Sequence, residues 1–303
     1  MLSAKDAVKR ALKNQTVIPA YNIPYLPMVE PIIRAVVDEN SVAMIQVARI
    51  EWTKFGAQSL ESVSKAYHQY QNDAHTLLHL DHTPVIDEDL LMVDYLDIIR
   101  RAIDAGFQSV MVDGSRLELA ENIKATRKVS ELAHAAGIAC EAELGAVLGH
   151  ESGPVMPYEE MFSSKKGFTS VEEAPIFVRK SQCDWLSVAV GSVHGAVAEN
   201  LRDQKKPEAR LDTQHITALS SATGVPLVLH GGSGIQESYI RTAIRAGIAK
   251  INMGTEIRQA YERSLRDKSE DISAAQQAVY TMVRHIISQT LRVANTRDLL
   301  YDA

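Results

Sequence analysis

Short apolar runs alternate with amphipathic stretches along most of the chain. The runs are rich in Val, Ile and Leu, a composition typical of strands that are buried on both faces. They lie at residues 16–23, 41–48, 76–81, 109–113, 139–144, 185–190, 226–229 and 250–253. Between them, apolar residues recur at the spacing of one helix face, as at residues 28–39 and 117–136. The pattern predicts strands and helices in regular alternation.

Eight such units predict an α/β fold, a (β/α)8 TIM barrel with extra C-terminal helices. An open doubly wound sheet is the alternative, but the chain lacks the glycine fingerprint of a dinucleotide-binding turn. A chain of 303 residues suits one such barrel, so we expect a single domain over residues 1–303. An irregular loop is predicted after the second strand. A polar segment is predicted at residues 145–170, followed by a helix that Ser170 caps.

The net charge, the cysteines and the lengths of the apolar runs indicate which partners and which cell compartment suit this chain. A formal net charge of −6 argues against nucleic acid or an anionic membrane as the main partner. The two cysteines, Cys140 and Cys183, lie in apolar runs, which is typical of buried thiols in a reducing compartment. No apolar run has the length of a signal peptide or a membrane span. We therefore expect a soluble, cytoplasmic protein.

Polar side chains stand at the carboxyl ends of six of the eight predicted strands, where a TIM barrel builds its active site. These side chains are Asp81, His82, Asp113, Glu143, His194, His230 and Asn252. Three imidazoles from three strand ends, His82, His194 and His230, can converge on one divalent ion and leave a position open for substrate oxygens. Asp113 and Glu143 either bind a second cation or orient the histidines.

Glycine-rich turns follow the seventh and eighth predicted strands. They read Gly231-Gly232-Ser233-Gly234 and Asn252-Met253-Gly254-Thr255, and each leads into a helical pattern. Backbone N–H groups, the hydroxyl groups of Ser233 and Thr255, and the positive end of a helix dipole suit a phosphate dianion. The alternative is a pair of ordinary tight turns at strand ends.

Together these stretches resemble the class II, zinc-dependent fructose/tagatose-bisphosphate aldolase family. The match is collinear over roughly residues 4–260. The matching motifs are Ala20-Tyr21-Asn22-Ile23, His79-Leu80-Asp81-His82, Val112-Asp113-Gly114-Ser115, Glu141-Ala142-Glu143-Leu144-Gly145, His194-Gly195, Leu229-His230-Gly231-Gly232-Ser233-Gly234 and Lys250-Ile251-Asn252. Each motif alone is weak evidence, but the combination is specific.

The resemblance implies a lyase of carbohydrate metabolism, of the kind that serves glycolysis. Such an enzyme cleaves a ketose 1-phosphate or 1,6-bisphosphate reversibly to dihydroxyacetone phosphate and an aldehyde, through a zinc-stabilised enediolate. It implies one catalytic Zn2+ on His82, His194 and His230, and a homodimer or homotetramer. Asp81 matches the acid/base that protonates the aldehyde oxygen, and Glu151 matches the loop glutamate that exchanges the C3 proton. The implied substrate-binding residues are Asn22, Gly195, Gly232, Ser233, Asn252, Gly254 and Thr255.

Three departures from the family fall on the half of the site that receives the distal end of the sugar. The family's Gln-x-Ser-x-Gly turn is replaced by Gln46-Val47-Ala48-Arg49-Ile50. An acidic insertion at residues 83–89 follows His82, and the family arginine that reaches a neighbour's distal phosphate is absent near residues 274–277. Either Arg49, Lys54 or Arg116 replaces these contacts, or the aldehyde carries no phosphate. We expect Arg49 to bind substrate.

Two other classes of function compete with the aldolase. A metal-dependent barrel hydrolase usually carries a His-x-His pair on its first strand, where this chain has Tyr21-Asn22. A non-catalytic sugar-phosphate-binding barrel would have no need of both Asp81 and Glu151. The aldolase is therefore the favoured hypothesis.

Overall fold

The computed structural model describes residues 2–145, 158–192, 209–267 and 270–302. Its centre is a closed barrel of parallel strands in which each strand pairs with the next and the last pairs with the first. The strands are β1 (Ile18–Asn22), β2 (Ala43–Val47), β3 (Thr76–Leu80), β4 (Ser109–Val112), β5 (Ala139–Leu144), β6 (Trp185–Val188), β7 (Leu227–Leu229) and β8 (Ile248–Met253). The predicted (β/α)8 barrel is confirmed.

Helices connect the strands and cover the outside of the barrel. They are α1 (Ala4–Lys13), α2 (Val29–Asp38), α3 (Arg49–Thr53), α4 (Leu60–Tyr70), α5 (Tyr95–Asp104), α6 (Leu119–Ala135), α7 (Tyr158–Ser164), α8 (Ala174–Ser181), α9 (Thr213–Thr223), α10 (Glu237–Ala246), α11 (Thr255–Asp267), α12 (Ile272–His285) and α13 (Thr296–Tyr301). Side-chain oxygens of Ser3, Asp94 and Asp212 accept backbone N–H groups in the first turns of α1, α5 and α9, which fixes where these helices begin. The predicted extra helices after β8 are α11, α12 and α13.

Three local predictions were wrong. The helix expected from Ser170 begins at Ala174, because residues 171–173 form a turn. The region expected to be an irregular loop after β2 contains the short helix α3. The sixth strand ends at Val188 rather than at residue 190, because the Ala189 N–H donates to Thr169 Oγ1 instead of continuing the sheet.

The interior of the barrel changes from apolar to polar along its axis. Because side chains alternate in direction, each step of two residues along a strand moves one layer through the interior. Along β3 and the residue after it, the inward positions read Leu77, His79 and Asp81, and along β5 they read Ala139, Glu141 and Glu143. An apolar cluster that includes residues of α1 and the early positions of the strands fills the amino-terminal end. The polar groups are thereby concentrated at the carboxyl end.

Within the described ranges, no helix combines the length and apolar character needed to cross a membrane. Both cysteines, Cys140 and Cys183, are free thiols in buried positions. Burial raises the pKa of the Cys183 thiol to about 12, so this side chain is uncharged and packs as a small apolar group.

Candidate active site

A pocket opens at the carboxyl ends of the strands. Its walls come from the turns after β1, β2, β3 and β4 on one side and those after β7 and β8 on the other. Of the residues predicted to form the site, twelve lie among the described residues, and nine of these line the pocket. The nine are Asn22, Arg49, Asp81, His82, Asp113, Ser233, Asn252, Gly254 and Thr255. Three predicted residues, Glu151, His194 and Gly195, lie outside the described residues.

 Three predicted residues in the described part of the chain, His230, Glu143 and Gly232, are buried and do not line this pocket. His230 nevertheless contacts the pocket residue His82, with the two ring centroids 4.4 Å apart.

Asp81 lies at the centre of a set of amide donors. Asn252 Nδ2 donates to Asp81 Oδ1 at 3.0 Å, and Asn22 Nδ2 donates to Oδ2 at 2.9 Å. Gln46 Nε2 also donates to Oδ2 at 3.2 Å. Burial raises the pKa of Asp81, but His82, His230 and other positive groups outweigh it and lower that pKa to about 2. The carboxylate is therefore ionised and fixed in orientation.

His82 and His230 form a candidate metal centre with neighbouring carboxylates. Ligand atoms of Asp81, His82 and His230 lie within 4.8 Å of one another, and so do those of His82, Asp113 and Glu143. Glu143 Oε2 lies 3.1 Å from His230 Nδ1 and 3.8 Å from His82 Nδ1. Imidazole nitrogens and carboxylate oxygens are ligands that zinc and similar divalent ions accept.

The electrostatics of this group favour a cation. Burial lowers the pKa of His82, but Asp81, Glu143 and Asp113 outweigh it and raise that pKa to about 10. The pKa of His230 is also raised, because hydrogen bonds to Glu141 and Glu143 outweigh burial and the charge of His82. The carboxylates therefore attract positive charge to the two imidazoles, and a divalent ion fits this donor set.

A second layer of charged groups lies fully buried beneath the histidines, and the sequence analysis gave it no role. Glu141 Oε1 lies 2.8 Å from His230 Nε2, and Glu141 Oε2 lies 2.9 Å from Lys250 Nζ. Trp185 Nε1 donates to Glu141 Oε2 at 2.6 Å. Lys250 Nζ also donates to Asn252 Oδ1 at 2.8 Å, so the amide nitrogen of Asn252 points at Asp81. Glu141 lies two residues before Glu143, and this alternation is the signal that places both inside the barrel.

The glycine turns after β7 and β8 form the side of the pocket opposite the turns after β1 to β4. Gly231 has a φ of 74°, a left-handed conformation that favours glycine. A side chain at Gly232 would collide with Ile251 and Met253, so this glycine allows the turn to pack closely against β8. The Gly232 N–H donates to Asn252 O at 3.1 Å.

The turn after β8 leads directly into α11, whose first residue is Thr255. Backbone N–H groups at a helix start and the helix dipole favour an anion there. Arg258, one turn into α11, is buried and also lines the pocket, although the sequence analysis did not single it out. Arg258 lies three residues after Thr255, on the same face of α11, and this spacing was the sequence signal that could have placed it at the pocket.

Glu51 adds a carboxyl group to the wall of the pocket. It is 6% exposed, and its Oε2 accepts the Ala48 N–H at 2.7 Å in the first turn of α3. Burial raises the pKa of Glu51 well above its ordinary value, and the nearby Asp81 carboxylate raises it further. The sequence analysis missed this residue because α3 was expected to be an irregular loop.

Replacement of Glu51 by glutamine is expected to stabilise the protein at pH 8 but not at pH 4. The folded protein keeps this proton at a pH where the unfolded chain has released it, so the carboxyl group costs stability as the pH rises above about 4.5. Glutamine keeps an oxygen for the Ala48 N–H and removes this cost. We expect the melting temperature at pH 8 to rise by about 2 °C or more. Glu131→Gln on the exposed face of α6 is the control, and equal shifts in the two variants would contradict the assignment.

Comparisons with known proteins agree with this geometry. A family model described as class II fructose-bisphosphate aldolase matches residues 2–298. The 6-phospho-5-dehydro-2-deoxy-D-gluconate aldolase of Halalkalibacterium halodurans is 32% identical over 268 residues, which are 88% of this chain and 84% of that protein. A fructose-bisphosphate aldolase of Staphylococcus aureus is 32% identical over 269 residues, which are 88% of this chain and 85% of that protein.

A solved structure is similar over nearly the whole chain. The YdjI aldolase from Escherichia coli K12 superposes with a TM-score of 0.75 at 25% sequence identity, covering 97% of this chain and 100% of that one. The barrel, the polar strand ends and the matching family model thus agree. The chain belongs to the class II fructose-bisphosphate aldolase family, and it is a class II aldolase.

Proposed function

We propose that the protein is a divalent-metal-dependent aldolase that cleaves a ketose 1-phosphate or 1,6-bisphosphate reversibly to dihydroxyacetone phosphate and an aldehyde. One observation carries this proposal: the fixed carboxylate of Asp81 lies beside the histidine pair and faces the glycine turns across one pocket. Cleavage next to a ketone needs stabilisation of negative charge and a group that moves a proton at the aldehyde oxygen. The pocket offers candidates for both.

The positions of the described residues and the family match support the following roles for the polar side chains. His82 and His230 would hold the divalent ion together with His194, which lies outside the described residues. When bound, the ion supplies electrostatic stabilisation of the charge that develops beside the ketone. Glu141 accepts a hydrogen bond from His230 Nε2 and so leaves Nδ1 directed at the metal centre. Glu143 and Asp113 orient the imidazoles or bind a second cation.

Two further groups act on the substrate directly. In cleavage the ionised Asp81 carboxylate takes the proton from the hydroxyl group that becomes the aldehyde oxygen, and in condensation the resulting carboxyl group returns it. The exchange of the C3 proton is assigned to Glu151, outside the described residues. Ser233, Gly254 and Thr255 would bind the phosphate. Arg258 lies beside them and is paired with Glu262, whose Oε2 is 2.6 Å from Arg258 Nη1.

The finer features expected from the sequence also belong to this proposal. They are zinc as the native ion, a homodimer or homotetramer, a cytoplasmic location and one domain over residues 1–303. The mixed nitrogen and oxygen donor set at His82, His230 and Glu143 supports zinc but also suits cobalt or manganese.

Removal of the metal is expected to lower the release of dihydroxyacetone phosphate by at least about 100-fold, because a bound ion contributes several kcal/mol of charge stabilisation. The test uses protein treated with a chelator and then reloaded with zinc, cobalt or manganese. Metal binding is measured separately by calorimetry. The substrate panel contains fructose and tagatose 1-phosphates and 1,6-bisphosphates.

Two controls make this test specific. Mock-treated protein should keep full activity, and borohydride added with substrate should not inactivate the enzyme, because Lys250 is buried in an ion pair with Glu141 and forms no Schiff base. Cleavage that resists the chelator, or no release from any substrate by the metal-loaded protein, would contradict the proposed function.

A further inference from the structure

The pocket has two facing walls. In a closed ring of eight strands, β3 lies across from β7 and β4 lies across from β8. The glycine turns after β7 and β8 therefore face the segments after β3 and β4. A ketose whose phosphate binds at the glycine turns extends its other end towards this second wall, which we call the acceptor wall. The turn after β2 with Arg49 and Ile50 belongs to the same wall.

The acceptor wall contains an ordered hairpin, residues 84–93, which carries the acidic insertion. Ile86 and Met92 form an antiparallel bridge, and Pro84 forms a parallel bridge with Asp113 at the end of β4. These bridges attach the hairpin to the barrel at the edge of the pocket. Its acidic side chains therefore have positions that the backbone determines.

Asp87 neutralises Arg49 from within this hairpin. Asp87 Oδ1 accepts the N–H groups of Asp89 at 3.0 Å and of Leu91 at 2.9 Å, which fixes the carboxylate. Asp87 Oδ2 lies 3.3 Å from Arg49 Nη1, and the Asp87 side chain is only 4% exposed. Arg49 is thus paired with a buried carboxylate of the chain itself.

The second cation near this wall is paired in the same way. Lys54 Nζ lies 2.8 Å from Glu88 Oε1 and 3.2 Å from Asp89 Oδ2. The hydrogen bond to Glu88 outweighs burial and raises the pKa of Lys54, so its ammonium group stays charged and paired. Arg116 also lines the pocket, so three cations and three hairpin carboxylates lie at this wall, and Arg49 and Lys54 are paired with those carboxylates.

A phosphate group would bring about 1.5–2 negative charges to this balanced wall. It would have to displace Asp87 or Glu88 from their cations, or lie beside them as a like charge. An uncharged aldehyde meets no such penalty. The apolar side chains of Ile50, Pro84 and Ile86 line the same wall, and Glu88 and Arg49 remain available as hydrogen-bonding groups for hydroxyls.

We propose that the acceptor wall selects an unphosphorylated, uncharged hydroxyaldehyde, so that the ketose substrate is a 1-phosphate rather than a 1,6-bisphosphate. This inference rests on the proposed function. It makes Asp87 and Glu88 specificity-determining residues, because their carboxylates are paired with Arg49 and Lys54, two of the three cations that a second phosphate would meet.

The experiment runs condensation with dihydroxyacetone phosphate on matched aldehyde pairs that differ only by a phosphate. The pairs are D-glyceraldehyde with its 3-phosphate and D-erythrose with its 4-phosphate. For an aldehyde that does not turn over, its dissociation constant is taken from inhibition of C3 proton exchange on dihydroxyacetone phosphate. We expect the unphosphorylated member to be favoured by about tenfold or more, in kcat/KM or in affinity.

The outcomes separate the inference from the function on which it rests. Preference for the phosphorylated member, or equal preference, overturns the inference while leaving the aldolase intact. Absence of both condensation and proton exchange in the metal-loaded enzyme overturns the proposed function itself.

A double variant, Asp87→Asn with Glu88→Gln, tests the cause of the selectivity. Asparagine keeps an oxygen for the Asp89 and Leu91 N–H groups, so the hairpin turn can persist without the charge. We expect the preference to shift towards the phosphorylated aldehyde by about tenfold, more at low salt than at high salt. Glu131→Gln, an exposed glutamate paired with Arg127 on α6, is the matched control and should not shift it. An unchanged preference in the double variant contradicts the assignment of Asp87 and Glu88.

Discussion

Replacement of Asp81 by alanine is expected to lower kcat for aldol cleavage by about 10²–10⁴-fold, the usual contribution of a positioned general acid or base. Asp81 is the carboxylate that three amide groups fix beside the histidine pair. The variant lacks the carboxylate that is proposed to move the proton at the aldehyde oxygen. Exchange of the C3 proton of dihydroxyacetone phosphate should persist, because that step occurs before the aldehyde reacts.

The measurement compares steady-state cleavage with proton exchange followed by NMR in deuterated water. Asp184→Asn is the control, since Asp184 is another largely buried carboxylate but precedes β6 at the opposite end of the barrel, where it accepts the Cys140 N–H. We expect this control to lose stability but to keep kcat close to that of the parent protein. Equal losses of cleavage and of C3 proton exchange in Asp81→Ala would instead place Asp81 in the metal centre or in the site that binds dihydroxyacetone phosphate.

The barrel could be predicted from the sequence because its strands are buried on both faces. Such strands appear as continuous apolar runs, and the first polar residue after each run marks the carboxyl end. For this reason Asp81, His82 and Asn252 were predicted at the pocket, and the structure places them there. The glycine-rich sequences after the seventh and eighth apolar runs likewise predicted the two turns after β7 and β8.

Pairings between distant residues could not be predicted from local patterns. Glu141 and Lys250 are far apart in the sequence and meet only because β5 and β8 enclose one interior. The pairing of Arg49 with Asp87 depends on the hairpin after β3 and on α3, whose helical turn was expected to be a loop. The sequence therefore identified Arg49 and the acidic insertion separately, but not that one neutralises the other.

The prediction for Lys250 depends on such a pairing. Replacement of Lys250 by methionine leaves the Glu141 carboxylate fully buried without its cation, which is expected to cost about 3–5 kcal/mol of unfolding free energy. It also removes the donor that fixes the amide of Asn252, and thus the hydrogen bond from Asn252 to Asp81. We expect a lower midpoint of urea unfolding together with a lower kcat.

A double variant, Lys250→Met with Glu141→Gln, separates the two effects. With both members of the pair removed, neither Glu141 nor Lys250 leaves its own charge buried without a partner, so the unfolding midpoint should return most of the way to that of the parent protein. The activity should stay low, because the amide of Asn252 is no longer fixed and His230 has lost its carboxylate partner. Metal affinity, measured by calorimetry, should fall as well, since the Glu141 carboxylate orients His230. Recovery of stability, activity and metal affinity together would mean that the buried pair serves folding alone.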